Sequence, residues 1–307
     1  MKWAEILKKS FEYLKKYRYL WFLGALAALT EGSFGGSYFG GSGGRGWSGG
    51  KEDFGNITGA VSNWVSSHLV FISVSLIILF FLSIVILYIS YCAQAALIHS
   101  IDKIESGKSE ENFFTAFRIG WRYFWRFFGL TLAITLIIAV AVLVFVGVIL
   151  GFVVLAATTS WWALLVLIPF GVVGLLAIIA LVIYLNLIIR LAYRGLVLKN
   201  QAVFESLAKS RKLFHHNFGD ILIAWLIQSA CGIVFGIAIV IIAVFVGGPL
   251  IMLGIGIFFA TGPIGAWIYG SVAGIAFLLA ILFINGLANA YLSTFWTLVY
   301  KTLNSKS

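Results

Sequence analysis

Three long stretches of the chain contain no Lys, Arg, Asp or Glu, namely residues 54–101, 127–189 and 221–300. About 20 consecutive apolar residues are enough to cross a bilayer as an α-helix. The second stretch has 63 residues and the third has 80, so each is long enough for more than one crossing. The pattern therefore predicts an all-α, polytopic transmembrane helical bundle.

The positive charges predict how the helices are oriented. Of the 21 Lys and Arg residues, 19 fall in four segments: 1–18, 99–126, 190–220 and the last seven residues. Cytoplasmic loops are enriched in these residues, so an even number of crossings should separate each pair of segments and both termini should be cytoplasmic. We expect about six spans, as three helical hairpins: 19–31, 68–98, 127–157, 169–198, 220–246 and 265–300.

Two parts of this assignment have alternatives. The first helix is short for a span and lies behind a basic segment, so it also fits the core of a signal peptide. Residues 249–261 are apolar but too few to cross, and they predict a re-entrant or interfacial segment on the outer side. The Gly-rich stretch 32–60 is expected to be an outer loop whose aromatic residues contact the interface.

Composition agrees with a membrane environment. Hydrophobic residues make up 62% of the chain and charged residues 10%, whereas soluble domains have about 25% charged residues. The net charge of +10 is then better explained by loops that face anionic headgroups than by nucleic-acid binding. Cys92 and Cys231 lie within apolar runs, which favours buried thiols over a disulfide.

The chain contains an internal similarity at an offset of 90 residues. Repeat-like units of about 1–98, 112–198 and 203–300 each begin with a basic-aromatic stretch and continue into a hairpin, within a single membrane domain, 1–307. The matched positions are Ala116, Gly120, Phe124, Phe128 and Gly129 against Ser206, Ser210, Phe214, Phe218 and Gly219.

The basic-aromatic stretches predict amphipathic helices that lie in the membrane interface. Trp121 and Trp125 share one helical face, and Arg118, Arg122 and Arg126 form the neighbouring stripe. Such helices place rings among acyl chains and cations near lipid phosphates. They predict either simple anchoring or a site for anionic lipid or a partner. The corresponding basic residues of the third unit are Lys209, Arg211 and Lys212.

Few polar side chains fall inside the predicted spans, and none of them is acidic, which disfavours a carrier that relays protons through carboxylates. Amides in hydrocarbon usually hydrogen-bond to a neighbouring helix. They also predict, as the alternative, an intramembrane polar site between the fourth, fifth and sixth helices. The residues concerned are Asn186, Gln228, Asn285 and Asn289.

One segment resembles a known group of proteins. The run LAYRGLVLKNQAVFESLAKSRKLFHHNFG, within residues 190–219, and the ending STFWTLVY at 293–300 resemble uncharacterised bacterial six-helix membrane proteins, themselves similar to the membrane domain that accompanies some glycerophosphodiester phosphodiesterases. The resemblance implies the fold and the plasma (inner) membrane of a prokaryote. The catalytic phosphodiesterase domain has no counterpart here, so its activity is not implied.

The chain has no serine elbow, no HExxH motif and no metal-ligand spacing. We therefore expect a non-enzymatic membrane protein without cofactor or metal. It should bind anionic membrane lipids, a membrane protein partner or further copies of itself through its basic cytoplasmic face. The alternative is a small-solute transporter or channel that uses the intramembrane polar site.

Overall fold

The computed structural model describes residues 2–29, 66–107, 112–158 and 162–306. Within these ranges the backbone forms helices and no strand, which confirms the all-α class. The outer loop predicted at 32–60 lies outside the described residues.

Nine α-helices make up most of the described residues, and a five-residue π-helical segment, Ala243–Gly247, joins the last two. They are α1 (Trp3–Lys16), α2 (Tyr19–Ala28), α3 (Leu69–Glu105), α4 (Phe113–Trp121), α5 (Phe124–Thr158), α6 (Trp162–Leu198), α7 (Val203–His216), α8 (Phe218–Ile242) and α9 (Gly248–Lys306).

Among the residues that the structure describes, four helical segments are long and apolar enough to cross a membrane. Three of them match separate predicted crossings, and the last two predicted crossings fall together in one 88-residue segment. The first predicted helix is present as α2, which is apolar but only 10 residues long. The four segments are Leu69–Glu105, Phe124–Val154, Ile168–Leu198 and Phe218–Ser305.

The longest segment turns back on itself at Gly262. This residue has a φ of 75°, a left-handed conformation that glycine adopts without steric cost, and the proline that follows it suits the first turn of a new helix. On either side the two arms run antiparallel. The Tyr269 hydroxyl donates to the Leu250 carbonyl at 3.1 Å, and the Trp296 indole donates to Gln228 Oε1 at 2.6 Å.

Residues 249–261 do not form the separate short segment expected from the sequence, because they continue the helix begun by α8. Pro249 lacks an N–H, and its ring conflicts with the carbonyl four residues earlier in a regular α-helix. The wider π-helical turn over Ala243–Gly247 lies directly before this proline. Such turns accommodate interruptions in the helical hydrogen-bond ladder, so the chain passes the proline without ending the helix.

The buried side chains lie at one end of the bundle, which we call the basic end. It consists of α1, α2, α4 and α7 with the adjoining ends of α3, α5, α6, α8 and α9. The opposite halves of the long helices are apolar but exposed, as Phe71 at 72% and Phe259 at 81% illustrate. The largest fully buried side chains are Trp296, Phe127, Phe295, Leu20, Leu23, Leu97, Ile98, Ile101, Leu130, Leu191, Leu196 and Ile221.

The three amphipathic helices α1, α4 and α7 each bury positions spaced four residues apart. Helix α1 packs on α9, α4 packs on α3, and α7 packs on α6. In each case a stripe of small and apolar residues, spaced as on one face of a helix, is turned toward the bundle. The buried positions are Ile6, Ser10 and Leu14 in α1, Ala116 and Gly120 in α4 with Phe124 at the start of α5, and Ser206, Ser210 and Phe214 in α7.

A group of ion pairs joins α1, α3 and α9 at the basic end. The Lys301 ammonium lies 2.5 Å from Asp102 and 2.8 Å from Glu105, and Lys9 lies 3.3 Å from Glu105. Partial burial lowers the pKa of Lys9, but hydrogen bonds and attraction from Tyr13 and Glu105 outweigh it and leave the pKa above its usual value. The group links the first and last helices of the chain.

Two glycines allow backbones to touch at this end. A Cβ added to Gly24 of α2 would overlap the Gly286 carbonyl and lie 2.8 Å from the Ala290 Cβ of α9. A Cβ added to Gly120 of α4 would overlap the carbonyl of Cys92 in α3. Small residues that permit such approach are typical of helix contacts in membranes.

We expect Gly24→Ala and Gly120→Ala each to lower the free energy of unfolding by about 2 kcal/mol, because the added methyl group forces tightly packed helices apart. Thermal unfolding in detergent measures the change. Gly129→Ala is the matched control, since its Cβ meets nothing within 4 Å. Equal stability of all three variants would show that these contacts do not hold the bundle.

Candidate functional site

The predicted interface residues of the second unit lie on an exposed surface of α4 and the start of α5. Trp121 is 59% exposed and Trp125 is 75% exposed. Arg118 and Arg122 are also exposed, beside these rings. Trp121 packs edge-on against Tyr88 of α3, with ring centroids 4.9 Å apart. The surface combines apolar rings and cations, as an interfacial helix requires.

Arg126 has a different environment from the other two arginines of this stripe. Its guanidinium donates to the Asn200 side-chain oxygen at 2.5 Å and lies 5.9 Å from the centre of the Tyr123 ring. Asn200 belongs to the turn after α6 and has a positive φ of 48°. Arg126 therefore fixes this turn against α5, a structural contact that the sequence did not predict.

The basic residues of the third unit lie on α7. Arg211 and Lys212 are exposed, and the Lys209 ammonium lies 2.6 Å from the Glu205 carboxylate one turn earlier. The hydrogen bond and the attraction from Lys209 lower the pKa of Glu205. Lys209 thus has an acidic partner on its own helix, and both Lys209 and Lys212 line a cavity beside α7.

This cavity, which we call the basic pocket, has a volume of about 310 Å³ and lies between the turn after α6, α7 and the end of α9. Most of the residues around it carry a cationic or polar group. Gln201 is only 6% exposed, and its Oε1 has no hydrogen-bond partner among the described residues. The lining residues are Lys199, Gln201, Lys209, Ser210, Lys212, Leu213, His216, Tyr300 and Asn304.

The sequence pointed to Lys209 and Lys212 but not to the pocket. Tyr300 and Asn304 complete it from α9, nearly 100 positions away in the chain. The Lys199 ammonium donates to Asn304 Oδ1 at 2.6 Å, which holds one wall in place. No local pattern links these residues, so only the packing of α9 against α7 brings them together.

Three of the four predicted intramembrane polar residues meet at a second cavity. Gln228, Asn285 and Asn289 line it, together with Gln94 of α3, which the sequence did not single out. Asn186 does not line the cavity. It accepts a hydrogen bond from Arg190 Nε at 3.0 Å, and Arg190 does line it.

Two arginines distinguish this space, which we call the arginine cavity. Arg194 is 5% exposed, and its guanidinium donates to the carbonyls of Arg190 and Ser293, the latter at 3.4 Å. Arg190 lies 6.0 Å from the centre of the Trp296 ring, whose indole donates to Gln228. The sequence assigns both arginines to a cytoplasmic basic segment, and it does not predict that they line a cavity between helices.

Metal-binding chemistry is not assembled in the part of the chain that the structure describes. No group of three His, Cys, Asp or Glu side chains is close enough there to hold a metal ion. Cys92 is buried, Cys231 is partly buried, and both are free thiols.

Comparison with known proteins identifies the family. The chain belongs to DUF7544, a family of unknown function, whose model matches residues 17–306. No curated protein and no solved structure matches the chain. The family assigns no activity, and the resemblance to membrane domains of glycerophosphodiester phosphodiesterases stays a prediction.

The bond between Trp296 and Gln228 gives a test of the interior. We expect Gln228→Leu to lower the free energy of unfolding by about 1 kcal/mol, because the indole N–H then lacks its acceptor. Unfolding in detergent measures this, and Ser229→Ala is the matched control because that hydroxyl donates only within α8, to Trp225. A Gln228 variant as stable as the control would contradict the assignment.

Proposed function

We propose that this member of DUF7544 is a non-enzymatic, multi-pass protein of a prokaryotic plasma membrane that binds anionic lipid at its basic cytoplasmic face. The basic pocket is the observation that carries the proposal. Three lysines and a histidine surround a cavity of about 310 Å³, at the end of the bundle where the amphipathic helices lie. Lysine is a common point-charge ligand of phosphate.

Six crossings with both termini in the cytoplasm fit this proposal. The segment Phe218–Ser305 reverses at Gly262, so its two arms supply two crossings, and α3, α5 and α6 supply three. Helix α2 supplies the sixth, short as it is. This count puts all four basic segments on one side, as the positive-inside rule requires.

A threefold internal repeat is supported by the packing of the amphipathic helices. The buried positions of α1, α4 and α7 follow the same four-residue spacing, and each helix packs on the last long helix of the preceding unit. For α1 that helix is α9, so the third unit closes onto the first. Three similar helix pairs would thus surround one axis, each with a basic amphipathic helix at the cytoplasmic end.

The exposed tryptophans support contact with lipid. Trp121 and Trp125 project from the bundle beside Arg118 and Arg122. Tryptophan is enriched at the headgroup level, and cations there gain about 1 kcal/mol each from an anionic leaflet. This surface gives the protein a general preference for anionic lipid, and the basic pocket adds a defined position for one headgroup.

The chemistry of the basic pocket matches a headgroup that has both a phosphate and a hydroxyl. Lys212 and His216 reach it from successive turns of α7 and offer donors to phosphate oxygens. Gln201 Oε1, which is buried and has no partner among the described residues, offers an acceptor to a hydroxyl. A phosphatidylglycerol headgroup supplies both groups.

A second candidate function, a small-solute transporter or channel, is favoured by the arginine cavity. It lies between α3, α6, α8 and α9, and polar side chains from all four helices line it. Solute sites of transporters lie between helices in the same way. Uptake of a solute into proteoliposomes that contain the protein would favour this candidate over a lipid-binding role.

Six crossings predict which introduced cysteines face the outside of the cell. The test labels intact cells with a membrane-impermeant maleimide and uses a variant that lacks Cys92 and Cys231. Thr261→Cys, next to the turn at Gly262, should be labelled, because two crossings place this turn outside. Ser305→Cys, at the cytoplasmic end, should react only after permeabilisation. Labelling of both positions from the same side would contradict six crossings.

Binding of anionic lipid predicts the effect of removing two charges from the basic pocket. In detergent, phosphatidylglycerol should raise the unfolding temperature of the wild type more than phosphatidylcholine does. Lys209→Gln combined with Lys212→Gln should weaken phosphatidylglycerol binding about tenfold, since Lys212 contributes about 1 kcal/mol and the ion pair with Glu205 reduces the contribution of Lys209. Native mass spectrometry counts the lipids that remain bound.

The matched control is Lys8→Gln combined with Lys15→Gln, which removes the same charge from exposed positions of α1. This variant should bind phosphatidylglycerol as the wild type does. Equal losses in both double variants would indicate a diffuse charge effect without a pocket. A different outcome is that both double variants retain phosphatidylglycerol, while the Lys209→Gln, Lys212→Gln variant loses a co-purifying membrane protein or a second copy of this chain. The basic pocket would then bind a protein and not a lipid.

A further inference from the structure

We propose that the arginine cavity is a binding site for one oxyanion, a phosphate or carboxylate group, inside the helical bundle. The site is separate from the basic pocket, since the two cavities have no lining residue in common. Its argument rests on the charge, the donors and the size of the cavity.

The lining has an excess of positive charge. Arg190 and Arg194 both line the cavity, and none of its described lining residues is an aspartate or glutamate. Arg194 is 5% exposed, and the carbonyls of Arg190 and Ser293 accept its hydrogen bonds. These bonds hold a cationic group at the wall of the cavity, where an oxyanion would gain from its charge.

The lining also offers more donors than acceptors. Asn289 is 8% exposed, and its Nδ2 has no hydrogen-bond partner among the described residues. The side-chain oxygen of Gln228 is occupied by Trp296, which leaves the amide nitrogen as its other polar group. Guanidinium and amide N–H groups match an oxyanion, whose oxygen atoms only accept hydrogen bonds.

One arginine is oriented by its neighbours. Asn186 accepts from Arg190 Nε at 3.0 Å, and the guanidinium lies 6.0 Å from the centre of the Trp296 ring. These contacts restrict the rotation of a long side chain, so less entropy is lost when it binds a ligand. Asn186 thus acts as a positioning residue for a cavity that it does not itself line.

The size of the cavity selects a small polar group. Its volume of about 90 Å³ corresponds to about three water molecules at roughly 30 Å³ each. That is enough for one phosphate or carboxylate group and too little for an acyl chain. Phe235, Ile239 and Leu292 form an apolar wall beside the polar groups. The oxyanion can therefore be a free ion or the head of an amphiphile whose chains stay outside.

The test uses the full-length protein in detergent, in the Lys209→Gln, Lys212→Gln background so that the basic pocket does not contribute. The probes are inorganic phosphate, oleate and phosphatidylglycerol, with phosphatidylcholine as the reference, and the unfolding temperature reports binding. Stabilisation by phosphate identifies a free-anion site. Stabilisation by oleate or phosphatidylglycerol alone identifies an amphiphile. No stabilisation by any of the three overturns the proposal.

Variants then locate the binding. Arg190→Gln and Asn289→Leu should each lower the affinity for the stabilising probe at least tenfold. Arg190→Lys keeps the charge but not the planar fork, and it should lower this affinity less than Arg190→Gln does. Ser229→Ala is the control and should bind as its parent does. If Arg190→Gln does not fold, Asn289→Leu decides, because leucine fits the hydrocarbon environment. Unchanged binding by Asn289→Leu and by any folded Arg190→Gln would overturn the proposal.

Discussion

The bundle depends on close contact between helix backbones at its basic end. Within lipid, apolar side chains gain nothing by turning toward each other, so helices associate through tight packing and polar contacts. Gly24 against Gly286 and Gly120 against Cys92 provide such packing. The ion pairs of Lys301 with Asp102 and Glu105 add polar contacts nearer the end of the same helices. Helix positions are therefore defined at this end, and both candidate sites lie there.

The placement of the sites follows from this distribution of contacts. A site that recognises a ligand needs side chains held by rigid neighbours. The walls of both cavities come from helices that pack at the basic end, and the Trp296 indole, fully buried in that packing, bonds directly to a residue of the arginine cavity. The far halves of the long helices have exposed apolar side chains and offer no such support.

Much of the fold was predictable because charge is so costly inside a bilayer. The stretches without charge gave the long helices, and the spacing of rings and cations gave α4 and α7. The sequence does not predict that residues 249–261 continue the preceding helix, because glycine and proline usually end helices, whereas a π-helical turn here lets the helix continue. That adjustment depends on backbone geometry, and the sequence pattern does not encode it in a recognisable form.

The sites were predictable only in part. An amide in an apolar run stands out, so Gln228, Asn285 and Asn289 were recognised. Arg190 and Arg194 were not, because an arginine near a helix end ordinarily marks the cytoplasmic side, and its burial depends on helices distant in the sequence. The repeat-like similarity between units matched the small residues of α4 and α7 that are buried in the structure, but it predicted neither their burial nor which long helix each would contact.

The hairpin around Gly262 also has a consequence for the surrounding lipid. Its first arm, from Phe218 to Thr261, is helical throughout apart from the π-helical turn, which corresponds to about 66 Å at 1.5 Å per residue. The hydrocarbon core of a bilayer is only about 30 Å thick. An apolar arm of this length has to tilt steeply, thicken the bilayer locally or extend beyond it. Hydrophobic mismatch would then concentrate this protein in thicker or deformable regions of the membrane, independently of any ligand that it binds.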